Sequence, residues 1–268
     1  MYKGDYVYSK ELALTRPENT LRAAFCYCFF SDKEHYEKNI TCLHEQERSY
    51  YNNLKFEKRM KSYLIGRFAA KQAIACLTRE ENINGILIQP GIFNQPIVVS
   101  DVSNLQVSIT HCTDFGAALA FPEGHPMGID IELVSAKQRE ALEGQVTDRE
   151  KQQLGLWLTG YDEGLTLIWT AKEALSKVLK TGLMTPFNIF EISAMELSGR
   201  YVTCYYKNFP QYKAICFTLC DQYICSIAFP LKTELDLDPY ALNLYFAGTN
   251  SPNKENTREF AAVENESL

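Results

Sequence analysis

Hydrophobic and polar positions follow two different periods along this chain, and each period predicts a kind of element. After a polar lead-in, AAFCYCFF (23–30) is dense in aromatic and apolar residues and predicts a buried strand. From about His44 to Leu77 the period lengthens. Tyr63, Leu64, Phe68, Ala69, Ile74 and Leu77 recur at intervals of three and four, with Lys58, Arg59, Lys61, Arg67 and Lys71 between them, which predicts one long helix with a basic side. GILIQPGIF (85–93), QPIVV (95–99), LQVSITH (105–111) and FGAALAF (115–121) predict short strands parted by turn residues, and GIDIELV (128–134) follows them. Helical patterns return over 147–158 and 161–180, and strands are predicted over 187–197, 200–207, 213–219 and 222–229. Beyond Pro230 the composition turns polar, and the end, GTNSPNKENTREFAAVENESL, predicts a flexible tail. Helix-then-strands order occurs twice, which indicates an α+β chain with two halves of similar size, although no residue-level repeat accompanies it.

GIDIELV is chemically odd for a strand. Alternation puts Ile129 and Ile131 on one face and Asp130 and Glu132 together on the other. Two neighbouring carboxylates repel, and Asp is a poor strand residue, so the pair calls for a cation or for open solvent. From the strand alone, an exposed face and a metal site fit equally well.

Composition narrows the field. With 268 residues, 46% of them apolar, the chain can build a proper core as one large domain or two small ones. A net charge of −6 argues against a dedicated nucleic-acid binder. The 9 cysteines are an odd number without zinc-ligand spacing, and several lie in strand-like apolar runs, which predicts reduced structural thiols and a cytoplasmic protein. The start lacks a signal-peptide core, and no apolar run approaches the ~18 residues that cross a bilayer, so no membrane role is expected.

The run IWTAKEALSKVLKTGL (168–183) is the second informative stretch. Ile168, Ala171, Leu175, Val178 and Leu179 form one stripe of a helix, and Gly182 is placed to end it. Glu173 and Lys177 lie one turn apart. Alone they read as a surface ion pair worth a few tenths of a kcal/mol (~0.3–0.5).

Taken together, GIDIE ending at Glu132 and WTAKEALSK starting at Trp169 resemble the paired signature of the 4'-phosphopantetheinyl transferases of the larger, surfactin-synthetase-activating type. ITHC (109–112), KSYLIGRFAAKQAI (61–74) and HEQER (44–48) resemble further segments of that family, so the resemblance covers about residues 43 to 230. It implies a pseudo-twofold pair of α/β lobes with the active site in the cleft between them. The corresponding divisions are 1–122, 123–231 and a polar tail over 232–268. It implies transfer of the 4'-phosphopantetheine arm of coenzyme A to a serine of an apo acyl or peptidyl carrier protein by a monomer.

The resemblance also implies roles. Asp130, Glu132 and Glu173 match ligands of Mg²⁺, for which Mn²⁺ can substitute. Glu173 matches a general base for the incoming serine, and Lys177 a cation on the pyrophosphate. His111 matches a contact to a coenzyme A phosphate and Arg48 a holder of the 3'-phosphate, with Arg67 on the same basic face. Without the resemblance, His111 reads as a structural histidine, Arg48 as a solvated helix charge, and Trp169 as core. One departure stands out: the family commonly has Gly-Lys-Pro where this chain has Asn94-Gln95-Pro96, and Gln95 can donate a hydrogen bond but not a charge. Thr110 and Cys112 likewise replace two serines beside His111. Competing expectations are another Mg-dependent phosphotransferase, which the absence of a Gly-x-x-x-x-Gly-Lys loop weakens, and a noncatalytic carrier-binding homologue.

Overall fold

The structure, a computed structural model, describes residues 5–99, 104–154, 160–199 and 201–248. Its first element is unexpected. The lead-in forms a long strand, β1 (Asp5–Thr15), paired antiparallel with β2 (Thr20–Phe30). Tyr6, Leu12 and Leu14 point into the core at spacings of two, and Lys10 interrupts the period that would have announced it.

The helix predicted from about His44 to Leu77 is two pieces, α2 (Glu45–Asn52) and α3 (Glu57–Thr78), and a short helix, α1 (Lys33–Glu37), precedes them. His44 caps α2 through its side chain, and Asn53 ends it with its N–H turned back to Tyr50. The chain then runs through β3 (Leu87–Pro90), β4 (Pro96–Val99), β5 (Leu105–Cys112), β6 (Phe115–Pro122) and β7 (Gly128–Leu133). The second half holds α4 (Arg139–Glu143), α5 (Asp148–Leu154), α6 (Tyr161–Val178) and the strands β8 (Ile192–Ser198), β9 (Tyr201–Tyr206), β10 (Tyr212–Leu219) and β11 (Tyr223–Pro230). The end of the helix predicted over 147–158 lies outside the described residues. The expected tail begins instead with β12 (Glu234–Leu235) and α7 (Pro239–Gly248), whose Leu242 and Phe246 are buried; residues 249–268 lie outside the described residues.

Two antiparallel sheets result, ordered β12-β1-β2-β6-β5 and β7-β11-β10-β9-β8, with β3–β4 as a separate hairpin. Apolar residues of both sheets, among them Phe25, Tyr27, Phe115, Leu119, Ile129, Ile131, Phe217 and Ile227, form one core that α7 closes. The outer face of the first sheet packs on α3 and that of the second on α6. This is a mixed α/β fold of helices on antiparallel sheets. No helix of the described residues is long and apolar enough to cross a membrane.

The two halves share one buried motif. Glu47 of α2 uses Oε2 to accept the N–H of its own helix cap, His44, and the ammonium of Lys71, while Oε1 accepts the N–H of Ile88 on β3. Glu150 of α5 does the same with Thr147, with Lys172 and with Ile192 of β8. Each lysine also donates to a backbone carbonyl five residues before its glutamate, Cys42 or Gln145. Lys71, expected on a basic surface, is therefore 0% exposed. A buried charge persists only when paired and hydrogen-bonded, and each motif satisfies both partners while fixing a short helix to a long one and to a strand.

Candidate active site

The site forms where the edge strands of the two sheets, β5 and β7, run side by side. They share no ladder. Side chains of β5 take the place of ladder carbonyls: the N–H groups of Ile129, Ile131 and Leu133 donate to Ser108 Oγ (3.1 Å), Thr110 Oγ1 (3.3 Å) and Cys112 Sγ (3.3 Å). Every second residue of β5 faces β7, which is why this polar row repeats at intervals of two. The row was legible in the sequence as Ser-x-Thr-x-Cys, but its partner was not.

On β7 the alternation falls as expected. Ile129 and Ile131 are 0% exposed in the core between the sheets, and Asp130 and Glu132 face α6. Gly128 decides how close α6 comes. A Cβ on it would stand 2.1 Å from the carbonyl oxygen of Ala174, so any side chain there pushes the helix away from the strand. With glycine, the turn carrying Glu173 and Lys177 settles over Asp130.

Asp130 is 5% exposed. Its Oδ1 accepts the Thr110 hydroxyl at 2.9 Å and the Lys177 ammonium at 2.8 Å, while its buried Oδ2 has no hydrogen-bond partner. Lys177 also donates to the Ile129 carbonyl at 2.8 Å. The i,i+4 pair read from the helix is thus replaced: among the described residues, the carboxylate that Lys177 pairs with is Asp130, not Glu173. Burial, and then the charge of Asp130, push Glu173 up to about 7. The same two causes push Glu132 up to about 7, with the Cys112 thiol donating to its Oε2 at 3.4 Å. A carboxyl titrating near neutrality is suited to accept and return a proton at working pH.

The donor set fits a hard divalent cation: an orphaned buried carboxylate oxygen beside two carboxyls whose ionisation is opposed by burial and by the neighbouring Asp130 charge. The fit is not a finished cage. Among the described residues, no three His, Cys, Asp or Glu side chains are close enough together to grip an ion as they stand.

The remaining expected residues divide. His111 lies at the end of β5 with its ring edge near Gly66 of α3, and it is solvent-accessible. The protein around it still desolvates the ring, and this, with the nearby Lys177 charge, holds its pKa below the ordinary histidine value. It belongs to the same neighbourhood as Asp130. Arg48 is exposed on α2. Arg67 turns to Glu47 (3.3 Å) and stacks over Tyr63 (4.9 Å) rather than joining the carboxylates. Trp169 stacks on Phe187 with ring centroids 4.6 Å apart, as a core contact. Thr110 and Cys112, read only as replacements for serine, hold Asp130 and Glu132 by direct hydrogen bonds.

Residues 126–228 match the family model of the 4'-phosphopantetheinyl transferase superfamily. The matched stretch is less than half of the chain, and it contains β7, α6 and every carboxylate of the site. No curated protein shows significant similarity to the sequence.

Proposed function

We propose that this protein transfers the 4'-phosphopantetheine arm of coenzyme A to a serine hydroxyl of an apo acyl or peptidyl carrier protein, releasing adenosine 3',5'-bisphosphate. The observation that carries this reading is the meeting of Asp130, Glu132, Glu173 and Lys177 at one seam, within the stretch that matches the superfamily. The reaction is attack of an alcohol on the β-phosphorus of a pyrophosphate. Catalysis of that kind rests on positioning and charge neutralisation more than on covalent chemistry.

The chain's own groups divide the work. Glu173, with its carboxyl near neutrality, takes the serine proton as the oxygen–phosphorus bond forms. Lys177, held beside Asp130, offers its ammonium to the pyrophosphate. His111 contributes a ring that donates to a phosphate oxygen. When bound, Mg²⁺ held by Asp130, Glu132 and Glu173 would neutralise pyrophosphate charge, and Mn²⁺ suits the same oxygen donors.

We read the architecture as the larger, two-lobed type, lobes 1–122 and 123–231 related by an approximate twofold axis and acting as a monomer. The recurrence of the Glu47–Lys71 motif at Glu150–Lys172 supports this. So does the repeated order strand, short helix, long helix, four strands: β2-α2-α3-β3-β4-β5-β6 and β7-α5-α6-β8-β9-β10-β11. None of the 9 cysteines forms a disulfide, which fits a reducing, cytoplasmic setting.

Intact-mass spectrometry of an apo carrier protein incubated with coenzyme A and magnesium tests the proposal. Gain of one phosphopantetheine group supports it. Unmodified carrier that nevertheless binds the protein would make it a noncatalytic carrier-binding homologue, and turnover of another nucleotide a different phosphotransferase.

A further inference from the structure

The hairpin joining β5 to β6 turns on two residues, Thr113 and Asp114, since Cys112 pairs with Phe115 across it. Thr113 has φ 51°, and among the described non-glycine residues with positive φ it is the only β-branched one. Glycine, asparagine or aspartate normally fills such a place, because a branched Cβ crowds its own backbone there. Strain of this kind persists only where the surroundings fix the conformation, and it clusters at functional sites. Here the fixing contacts run to both halves of the chain. Asp114 pairs with Lys61 of α3, and its carbonyl accepts the Phe30 N–H of β2 at 3.1 Å. The Thr113 hydroxyl donates its one proton to the Cys112 carbonyl at 2.8 Å, and it therefore accepts from the hydroxyl of Tyr223 on β11, 3.0 Å away.

Tyr223 is well held for this. Its side chain is buried, with the ring edge-on to Phe115 at 4.7 Å between centroids, and Phe115 in turn meets Phe246 of α7 edge-on at 5.6 Å. Burial keeps the phenol pKa above its ordinary value, so the hydroxyl remains a donor. On the β7–β11 ladder Tyr223 stands opposite Leu133, whose N–H donates to Cys112 Sγ at 3.3 Å. The contacts close a circuit: Tyr223 to Thr113, Thr113 to Cys112, Cys112 to Leu133, and Leu133 back to Tyr223. The same Cys112 thiol donates to Glu132 Oε2 at 3.4 Å. Fixing Cys112 from both sides therefore fixes the group that holds Glu132.

We propose that Tyr223 and Thr113 are positioning residues of the active site: they latch the β5–β6 turn of one half onto β11 of the other and so hold Cys112, and through it Glu132, in place for the divalent cation. This rests on the transfer function proposed above, with Glu132 as a metal ligand.

Titration of the full chain with Mn²⁺ in the presence of coenzyme A and without carrier protein, followed by the electron paramagnetic resonance of free Mn²⁺, reads metal affinity apart from catalysis. Carrier modification at graded Mn²⁺ then gives kcat at saturating metal. Tyr223→Phe keeps the ring and removes only the hydroxyl, Thr113→Val removes the other hydroxyl, and Thr113→Ser restores it. Tyr223→Phe and Thr113→Val should each bind Mn²⁺ about tenfold more weakly, the low end of what losing a group behind a metal ligand costs, with kcat at saturating Mn²⁺ close to wild type. Their melting temperatures should fall by about 2–4 °C, the size of one hydrogen bond in a chain of this length. Thr113→Ser should bind Mn²⁺ as the wild type does. Lower melting temperatures with unchanged Mn²⁺ affinity in both hydroxyl-deleted variants would make the latch purely structural and overturn this inference, leaving the transfer function, read from wild-type carrier modification, standing. A wild type that binds no Mn²⁺ overturns the inference and the metal site together.

Discussion

The Lys177 ammonium lies 2.8 Å from Oδ1 of Asp130, on the same oxygen that accepts the Thr110 hydroxyl, and Oδ2 is left buried without a partner. Lys177 is the charge partner of a buried carboxylate, and in the proposed reaction it would also be the cation offered to substrate, so its removal should show in stability as well as in rate. Lys177→Ala should abolish most carrier modification and also destabilise the fold by about 1–3 kcal/mol, since it strips a hydrogen bond from a buried charge. Denaturant melts and carrier mass spectra of the same preparation check both effects.

Glu173→Gln should behave differently. Its carboxyl is held near neutrality by burial and by Asp130, so the amide relieves repulsion and the melting temperature should be unchanged or higher. Transfer should fall by ~100-fold or more, the scale of losing a general base. Wild-type turnover in this variant would overturn the mechanism.

Chelation should stop carrier modification, and added Mg²⁺ or Mn²⁺ should restore it, with Asp130→Ala unrestored by either. Full modification in excess chelator would remove the metal from the proposal.

The two buried ion pairs predict matched effects. Lys172→Met and Lys71→Met should each destabilise by about 3–5 kcal/mol, because each takes the ammonium from a buried glutamate held otherwise by backbone N–H groups and, at Glu47 alone, by Arg67 at 3.3 Å. Chemical denaturation measures the pair. A loss in only one variant would count against the equivalence of the two motifs.

His125 is 0% exposed, with Nε2 2.8 Å from Thr233 Oγ1, and burial holds its pKa below the ordinary 6.5. A histidine depressed in the fold binds its proton more readily when unfolded, so its contribution is lost as pH falls below the unfolded value of about 6.5. His125→Gln should flatten the decline in unfolding free energy between about pH 6.5 and 5 relative to wild type. Identical slopes would show that His125 contributes nothing to it.

Periodicity and residue chemistry alone determined the strand GIDIELV with its split of Ile and carboxylate faces, the α6 stripe and the hairpin strands of both halves. Those are local properties, set by what each residue prefers beside its near neighbours. What the chain pattern could not determine was what each face would meet. Lys71 and Lys58 are alike in the sequence, yet Lys71 is buried on Glu47 because α2 folds back over α3. Lys177 is as near to Glu173 in sequence as any helical ion pair, yet Asp130 holds it, because Gly128 lets the helix sit down on β7. Lead-in strand β1 and helix α7 escaped notice for a related reason: a single charge in an alternating run and a short apolar stripe in polar surroundings are weak signals until a core is present to bury them. Electrostatic partners and burial depend on distances between segments far apart in the chain, and only the tertiary structure decides those.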